Sequence, residues 1–437
     1  MHITLVRTLQ ARGLELNKSR VAPKLRNLFG TALILLFSGV LYVHSDPAAG
    51  IELLSPKNDS HLAGGKPLFF WGTNPTVQSY QVFVDGARIG EVPAAQVPVM
   101  NYGAEVSLPA GTHQWYVKAV PSTSDALVSS TGDFTIDPPG NWPAWAIGPF
   151  DRYGNNPILR PQGTGWEGKN VYNPGVLFDG GKFRMLYRAQ GKVNGISKIG
   201  YAESVDGVTF NRDPEPLIDA TEPFEKKYGC EDPRFVKYQG VYYVFYTGDK
   251  NGNIAECEAT STDGRDWKKL GPIEPGTKNG ALVLNPQGEP VKINGKFAMF
   301  IGDSKFGVCY SDDLTTWGPI TWINMHLPPG WTTPYEPCVA ITDYSSKPDD
   351  VVLLMAGTLN GKGKWFYAIS EALFSKSDLT KKVDQLDDCI MKPREAYENG
   401  TFIHCLWTNC LIQHNQQWML FYGAGDRNVG LATAAAK

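Results

Sequence analysis

The chain has 437 residues, 42% hydrophobic and 19% charged, which excludes a disordered tail and a polytopic membrane protein. Its 46 Gly, 31 Pro and 12% aromatic content favour strands joined by turns over long helices. The net charge of −3 divides into about +5 over residues 1–45 and −8 over the rest; a mildly acidic body disfavours a nucleic-acid binder.

The positive excess comes from Arg7, Arg12, Lys18, Arg20, Lys24 and Arg26 against Glu15 alone. An almost wholly apolar run follows, Leu28 to Val43 (LFGTALILLFSGVLYV), short for a membrane span of roughly 17–25 residues. A basic flank before an apolar run predicts a signal peptide or signal-anchor over 1–45. The expectation is an exported protein, held at the membrane through residues 28–43 if they are not cleaved.

Residues 46–137 hold short alternating strands such as SYQVFVDGARIGEV, THQWYVKAV and GDFTID. Asp85-Gly86 is a two-residue hairpin signal. These predict a small β-sandwich, and GTHQWYVKAV resembles fibronectin-III or immunoglobulin-like modules. The stretch 138–149 (PPGNWPAWAIGP) reads as a linker.

From 150 to 437 the sequence repeats. Five apolar strand centres, KFRMLYRA, VYYVFYTG, KFAMFIGD, VVLLMAGT and QWMLFYGAG, recur at intervals of about 55–65 residues. Three are followed by similar turn segments, SVDGVTF, STDGRDW and SDDLTTW. A repeat of that length with about four strands predicts β-propeller blades, so the expected fold is all-β with a five-bladed β-propeller. Polar-Pro dipeptides, Asn173-Pro174, Asp232-Pro233, Asn285-Pro286 and Glu336-Pro337, recur near the start of each inner strand, with Thr408-Asn409 in the fifth blade. Pro is cheap there because no ladder donor is needed, so the preceding polar residue faces the funnel. This nominates Asn173, Asp232 and Glu336.

YNPGVLFDGGKFRMLYRAQ, SKIGYAESVDGVTFNRDPEPLI, YGCEDPRFVKYQGVYYVFYTG and FYGAGDRNVGLATA resemble glycoside hydrolase family 130, the β-mannoside phosphorylases and related β-mannosidases. The resemblance covers nearly all of 150–437. It implies a five-bladed propeller with Asp232 as the acid that protonates the glycosidic oxygen, through a sugar hydroxyl in the phosphorylases. It also implies sugar binding by Asn173, Arg188 and Asp426, with Arg234 in or beneath the pocket. As an acid near neutrality, Asp232 would need a raised pKa. Strand alternation turns its neighbour Glu231 the other way.

The phosphate cluster of the phosphorylases is not evident. Ala255 and Lys269 stand where two arginines are expected, and Ile301-Gly302 where a histidine is. Lysine lacks the guanidinium fork. Together with export, this favours hydrolysis, in which a second carboxylate activates water. Glu336 is the expected base, with Asp303, Glu256, Glu395 and Glu398 as weaker alternatives. The competing readings are a phosphorylase using Lys269 and Arg234 to hold inorganic phosphate as co-substrate, and a non-catalytic carbohydrate-binding propeller. Trp166, Tyr172, Trp331 and Tyr335 flank the motifs and are open to sugar stacking, though most propeller aromatics pack between blades. His404 and His414 lack ligand spacing, the seven cysteines form no metal-type pair, and no metal or cofactor is expected.

Overall fold

The computed structural model describes residues 33–37, 40–44 and 50–436 apart from 63–64, 75–76, 96–98, 105, 122–126, 139–141, 194, 326–335, 345–349, 362–363, 387–388 and 401–402. Most of the predicted anchor or signal segment lies outside the described residues. Within it, Leu33–Phe37 pairs antiparallel with Val40–His44. No helix among the described residues is long and apolar enough to cross a membrane.

Residues 51–137 form two facing sheets. A three-stranded sheet of Leu53–Ser55, Leu68–Gly72 and Val99–Gly103 faces a six-stranded one built around Val77–Val84 and Gly111–Pro121. Alternation fills the space between them: Tyr80, Val82, Trp115 and Val117 point inward to join Phe69, Trp71 and Phe134. The Asp85-Gly86 turn has positive φ at both residues, as the primed hairpin turn requires.

The predicted repeat is a set of five antiparallel units of four principal strands. The first holds Asn170–Asp179, Lys182–Gln190, Ser197–Ser204 and Asn211–Arg212. The second holds Gly229–Tyr238, Val241–Lys250, Asn253–Ser261 and Lys268–Pro275. The third holds Ala281–Leu284, Lys296–Gly302, Phe306–Ser311 and Thr321–Trp322. The fourth holds Glu336–Thr342, Asp350–Gly361, Lys364–Ser375 and Asp378–Gln385. The fifth has Ile403–His414, Gln417–Ala424 and Asn428–Ala435, completed by Asp151–Arg152 from the other end of the domain. The ladders run as an eight-stranded and a thirteen-stranded sheet rather than one closed ring.

The repeated apolar segments are the second strands, whose marker residues Tyr187, Tyr246, Phe300, Met355 and Tyr422 are all fully buried. The repeated turn segments share one device. Ser204, Ser261 and Ser311 each accept the N–H three residues on at 2.9 Å, while Asp206, Asp263 and Asp313 take further turn N–H groups. These are side-chain-capped turns, which explains why Ser-x-Asp recurs.

The stretch expected as a linker is packed down. Trp145, Ala146, Ile147 and Phe150 join the apolar core of the fourth and fifth units, and Trp145 Nε1 donates to Asp384 at 2.8 Å. The sandwich meets this body where Phe70 packs edge-on against Tyr153, ring centroids 4.6 Å apart.

Arg152 locks the completing strand. Its guanidinium makes a two-pronged contact with Glu398, at 2.6 and 3.0 Å, and that carboxylate is wholly buried. Tyr422 and the N–H groups of Arg394 and Glu395 also donate to it. Removing one partner of a buried pair strands the other charge. Arg152→Met is therefore expected to lower stability by about 3–5 kcal/mol, read as a large fall in Tm.

Glu258 is the opposite case, fully buried without a hydrogen-bond partner among the described residues. Burial, then the charge of Asp313, pushes its carboxyl up to about 8. The folded state thus binds a proton that the unfolded chain releases near its ordinary pKa, and this group's contribution falls as pH rises from about 4.5 to about 8. Glu258→Gln should gain Tm relative to wild type progressively across that window. A constant difference from pH 5 to 8 would contradict the assignment.

Candidate active site

The first strands of the five units line one narrow cavity of about 20 Å³, through residues including Val176, Arg234, Leu282, Cys338 and Asn409. The strand starts converge above it. Four of these strands break register there, between Tyr172 and Gly175, Glu231 and Arg234, Pro337 and Val339, and Thr408 and Cys410. Such bulges re-aim side chains. Asn173 and Asp232 adopt left-handed φ of 48° and 52°, which short polar side chains tolerate best.

Asp232 is almost completely buried. Its Oδ1 accepts from Asn173 Nδ2 at 2.7 Å and from Arg188 at 3.1 Å. The other guanidinium arm of Arg188 reaches Glu231 at 2.5 Å, Nε donates to Ser197 at 3.0 Å, and Tyr172 lies 4.8 Å beneath in a cation–π contact. Glu231 therefore points to the same cation as Asp232, against the alternation expected. The bulge rotates the strand between the two residues.

The electrostatics also depart from expectation. Burial alone would raise Asp232, but Arg188, Lys278 and the Asn173 hydrogen bond outweigh it and hold the carboxyl below its ordinary range. The free site thus presents a carboxylate, not the raised acid that the sequence suggested. Glu231 is pushed up, by burial first, with Arg188 opposing. Asp426 is also raised by burial, with Arg188 opposing and the Cys405 thiol donating to it.

Glu336 sits across the site at the start of the fourth unit. Its Oε2 accepts from Asn279 Nδ2 at 2.8 Å, and burial raises its pKa against the pull of Lys278. Lys278 is the residue the sequence reading missed. It faces Glu336, Asp303, Asp232 and Glu231, is paired with Asp303 at 3.5 Å, and its carboxylate neighbours raise it despite burial. The polar-Pro rule missed it because the third unit starts with Lys278-Asn279-Gly280 and has no proline there. Asn285-Pro286 belongs instead to a turn at the opposite end of that strand, where Asn285 Oδ1 caps Gln287 and Glu289.

Two expected phosphate ligands are occupied elsewhere. Lys269 Nζ is bound by the Asp219 carbonyl at 2.6 Å, Thr221 at 3.1 Å and the buried Glu225 at 2.6 Å. Arg234 lies beneath the pocket, its donors directed at the backbone carbonyls of Asp232, Pro337 and Cys338 at 3.2–3.5 Å. Ala255 and Ile301 are core residues.

Of the other carboxylates named, Asp303 reaches the site through Lys278. Glu256 is fully buried facing Arg234 and Asp232, and burial lifts its pKa to about 7. Glu398 holds Arg152, and Glu395 pairs with Arg394, so neither is a base. Trp166 donates to the Pro214 carbonyl and packs against Tyr187. Trp331 and Tyr335 lie outside the described residues. His414 packs against Phe178 and Phe183, and His404 contacts Asn399.

The chain is 29% identical over 302 residues to a 1,2-beta-oligomannan phosphorylase of Thermoanaerobacter sp. (strain X514), covering 65% of this chain and 97% of that one. A beta-1,2-mannobiose phosphorylase of the same strain is 29% identical over 300 residues, covering 64% and 95%. A solved structure reported among GH130 glycoside hydrolases that target beta-1,2 mannosidic linkages in Candida mannan is 28% identical, with a TM-score of 0.61 over 68% of this chain and 98% of that one. The family model described as beta-1,4-mannooligosaccharide phosphorylase matches residues 152–437, and the chain belongs to glycoside hydrolase family 130.

Proposed function

We propose that this chain is an inverting β-mannoside phosphorylase acting on β-1,2-linked mannosides. The observation that carries the reading is Lys278 facing Asp232 across a buried site, a cation where the attacking anion needs one. The names of the two curated relatives support the same choice. The sequence expectation of hydrolysis rests on the missing phosphate cluster and on export; Lys278 supplies a cation outside that cluster. Phosphate oxygen attacks the anomeric carbon as the glycosidic C–O bond breaks, the leaving oxygen takes a proton that passes through Asp232, and mannose 1-phosphate departs. Because Asp232 is ionised in the free site, it takes up from solvent, as the substrates bind, the proton that it then gives to the leaving oxygen. Asn173, Arg188 and Asp426 hold the sugar. No cofactor beyond phosphate is needed.

Within this reading the five units are the blades of a five-bladed propeller. Its support is the cavity shared by all five first strands and the completion of the last unit by Asp151–Arg152. The basic flank and apolar run of the N-terminus support export.

Hydrolysis is the second reading, favoured by one observation. Asp232, Glu231, Asp426, Glu336 and Asp303 outnumber Arg188 and Lys278, which disfavours a phosphate dianion. There Glu336 would activate water.

β-1,2-Mannobiose incubated with and without phosphate separates the two by NMR. Mannose 1-phosphate formed only with phosphate is the expected outcome; free mannose at equal rates in both buffers would replace phosphorolysis with hydrolysis. Asp232→Asn is expected to cut kcat by about 10³-fold or more while Tm holds. Lys278→Met should raise KM for phosphate about 10–100-fold, with a smaller effect on KM for mannobiose. Equal rises in both would remove Lys278 as the phosphate-holding group.

A further inference from the structure

Beyond Asp303 the rim of the site continues into an exposed aromatic side chain. Trp322 is 46% exposed, and no other tryptophan is among the exposed large hydrophobic residues described. It ends the fourth strand of the third unit. In an antiparallel four-stranded unit the start of the first strand, the end of the second, the start of the third and the end of the fourth lie at one edge. Trp322 therefore shares an edge with Lys278 and Asn279, Gly302 and Phe306.

The contacts agree with that placement. Gly302 N–H donates to the Lys278 carbonyl at 2.9 Å, and Asp303 pairs with the Lys278 ammonium. Two residues on, Lys305 Nζ stands 4.1 Å from the centre of the Trp322 ring. Ser304 between them has φ of 66°, the left-handed kink that separates the two side chains. The residue paired across from Trp322 is Gly307, so no side chain overlies the indole from that strand position. Lys305 forms no ion pair among the described residues, leaving its ammonium donors for a ligand.

An indole fixed by a cation, with an open surface beside hydrogen-bond donors, suits the C–H face and hydroxyls of a pyranose. We propose that Trp322 and Lys305 form a distal subsite for a mannosyl ring of an oligosaccharide, outside the pair of sugars that flank the broken bond. The proposal rests on the carbohydrate reading above and adds chain-length preference to it.

The test compares β-1,2-mannobiose with β-1,2-mannotetraose, in phosphate, for wild type, Trp322→Ala, Trp322→Phe and Lys305→Ala. The ratio of kcat/KM for tetraose over biose should fall about 3–10-fold in Trp322→Ala, through KM, with most of it kept by Trp322→Phe. Lys305→Ala should lower the same ratio, and it serves as the test if Trp322→Ala loses Tm. An unchanged ratio in both alanine variants, at wild-type Tm, would overturn the subsite while leaving the phosphorylase reading intact. A wild-type enzyme inert on both sugars would overturn that reading and the subsite with it.

Discussion

One guanidinium sets the charge state of the site. Arg188 rises from the second strand of the first unit and reaches across to two consecutive acids, Glu231 and Asp232, on the first strand of the second. Two adjacent buried carboxylates without it would repel each other and hold protons. With it they diverge: the acid that also receives the Asn173 amide stays ionised, and its neighbour is raised. The ring of Tyr172 and the hydroxyl of Ser197 fix the guanidinium, so its direction does not depend on substrate. This arrangement keeps Asp232 ionised in the free site, so any role as a proton donor requires it to take up a proton as the site fills.

The bulges at the strand starts make that convergence geometrically feasible. A regular strand sends neighbouring side chains to opposite faces, so Glu231 and Asp232 could not meet one cation. The left-handed turn at Asp232 removes the constraint, and the one at Asn173 does the same in the first unit. Gly423 records how tight the result is: a Cβ there would sit 2.1 Å from Asn173 Oδ1. Pro174, Pro233 and Pro337 sit at these register breaks, where a missing N–H costs little, and the ladder resumes beyond each. What looks in the sequence like a permissive strand start is the feature that aims Asn173 and Asp232 into the site.

Much of this was legible before the structure. The period of the apolar segments located the five units, the Ser-x-Asp recurrence located their turns, and the polar-Pro recurrence nominated Asn173, Asp232 and Glu336. The alternation rule failed at Glu231 because a bulge is a backbone event that side-chain pattern does not encode. Lys269 and Arg234 were plausible phosphate ligands by residue type. Charge alone does not reveal that Glu225 consumes one and the Pro337 and Cys338 carbonyls the other.

Lys278 shows most directly where the sequence signal ends. Its unit starts without proline, and the nearest polar-Pro pair drew attention to the wrong end of the strand. Function follows from the placement the fold gives it. A lysine flanked by four carboxylates is strongly held in its charged form, and the same neighbours oppose a second anion entering the site. Phosphate can be accommodated only if some of those carboxylates carry protons when it binds. Burial disfavours the ionised forms of Glu336, Glu231 and Asp426, which moves the site toward that condition. Desolvation of the acids and retention of the cation therefore act in the same direction: each makes the negative charge of an incoming phosphate less costly.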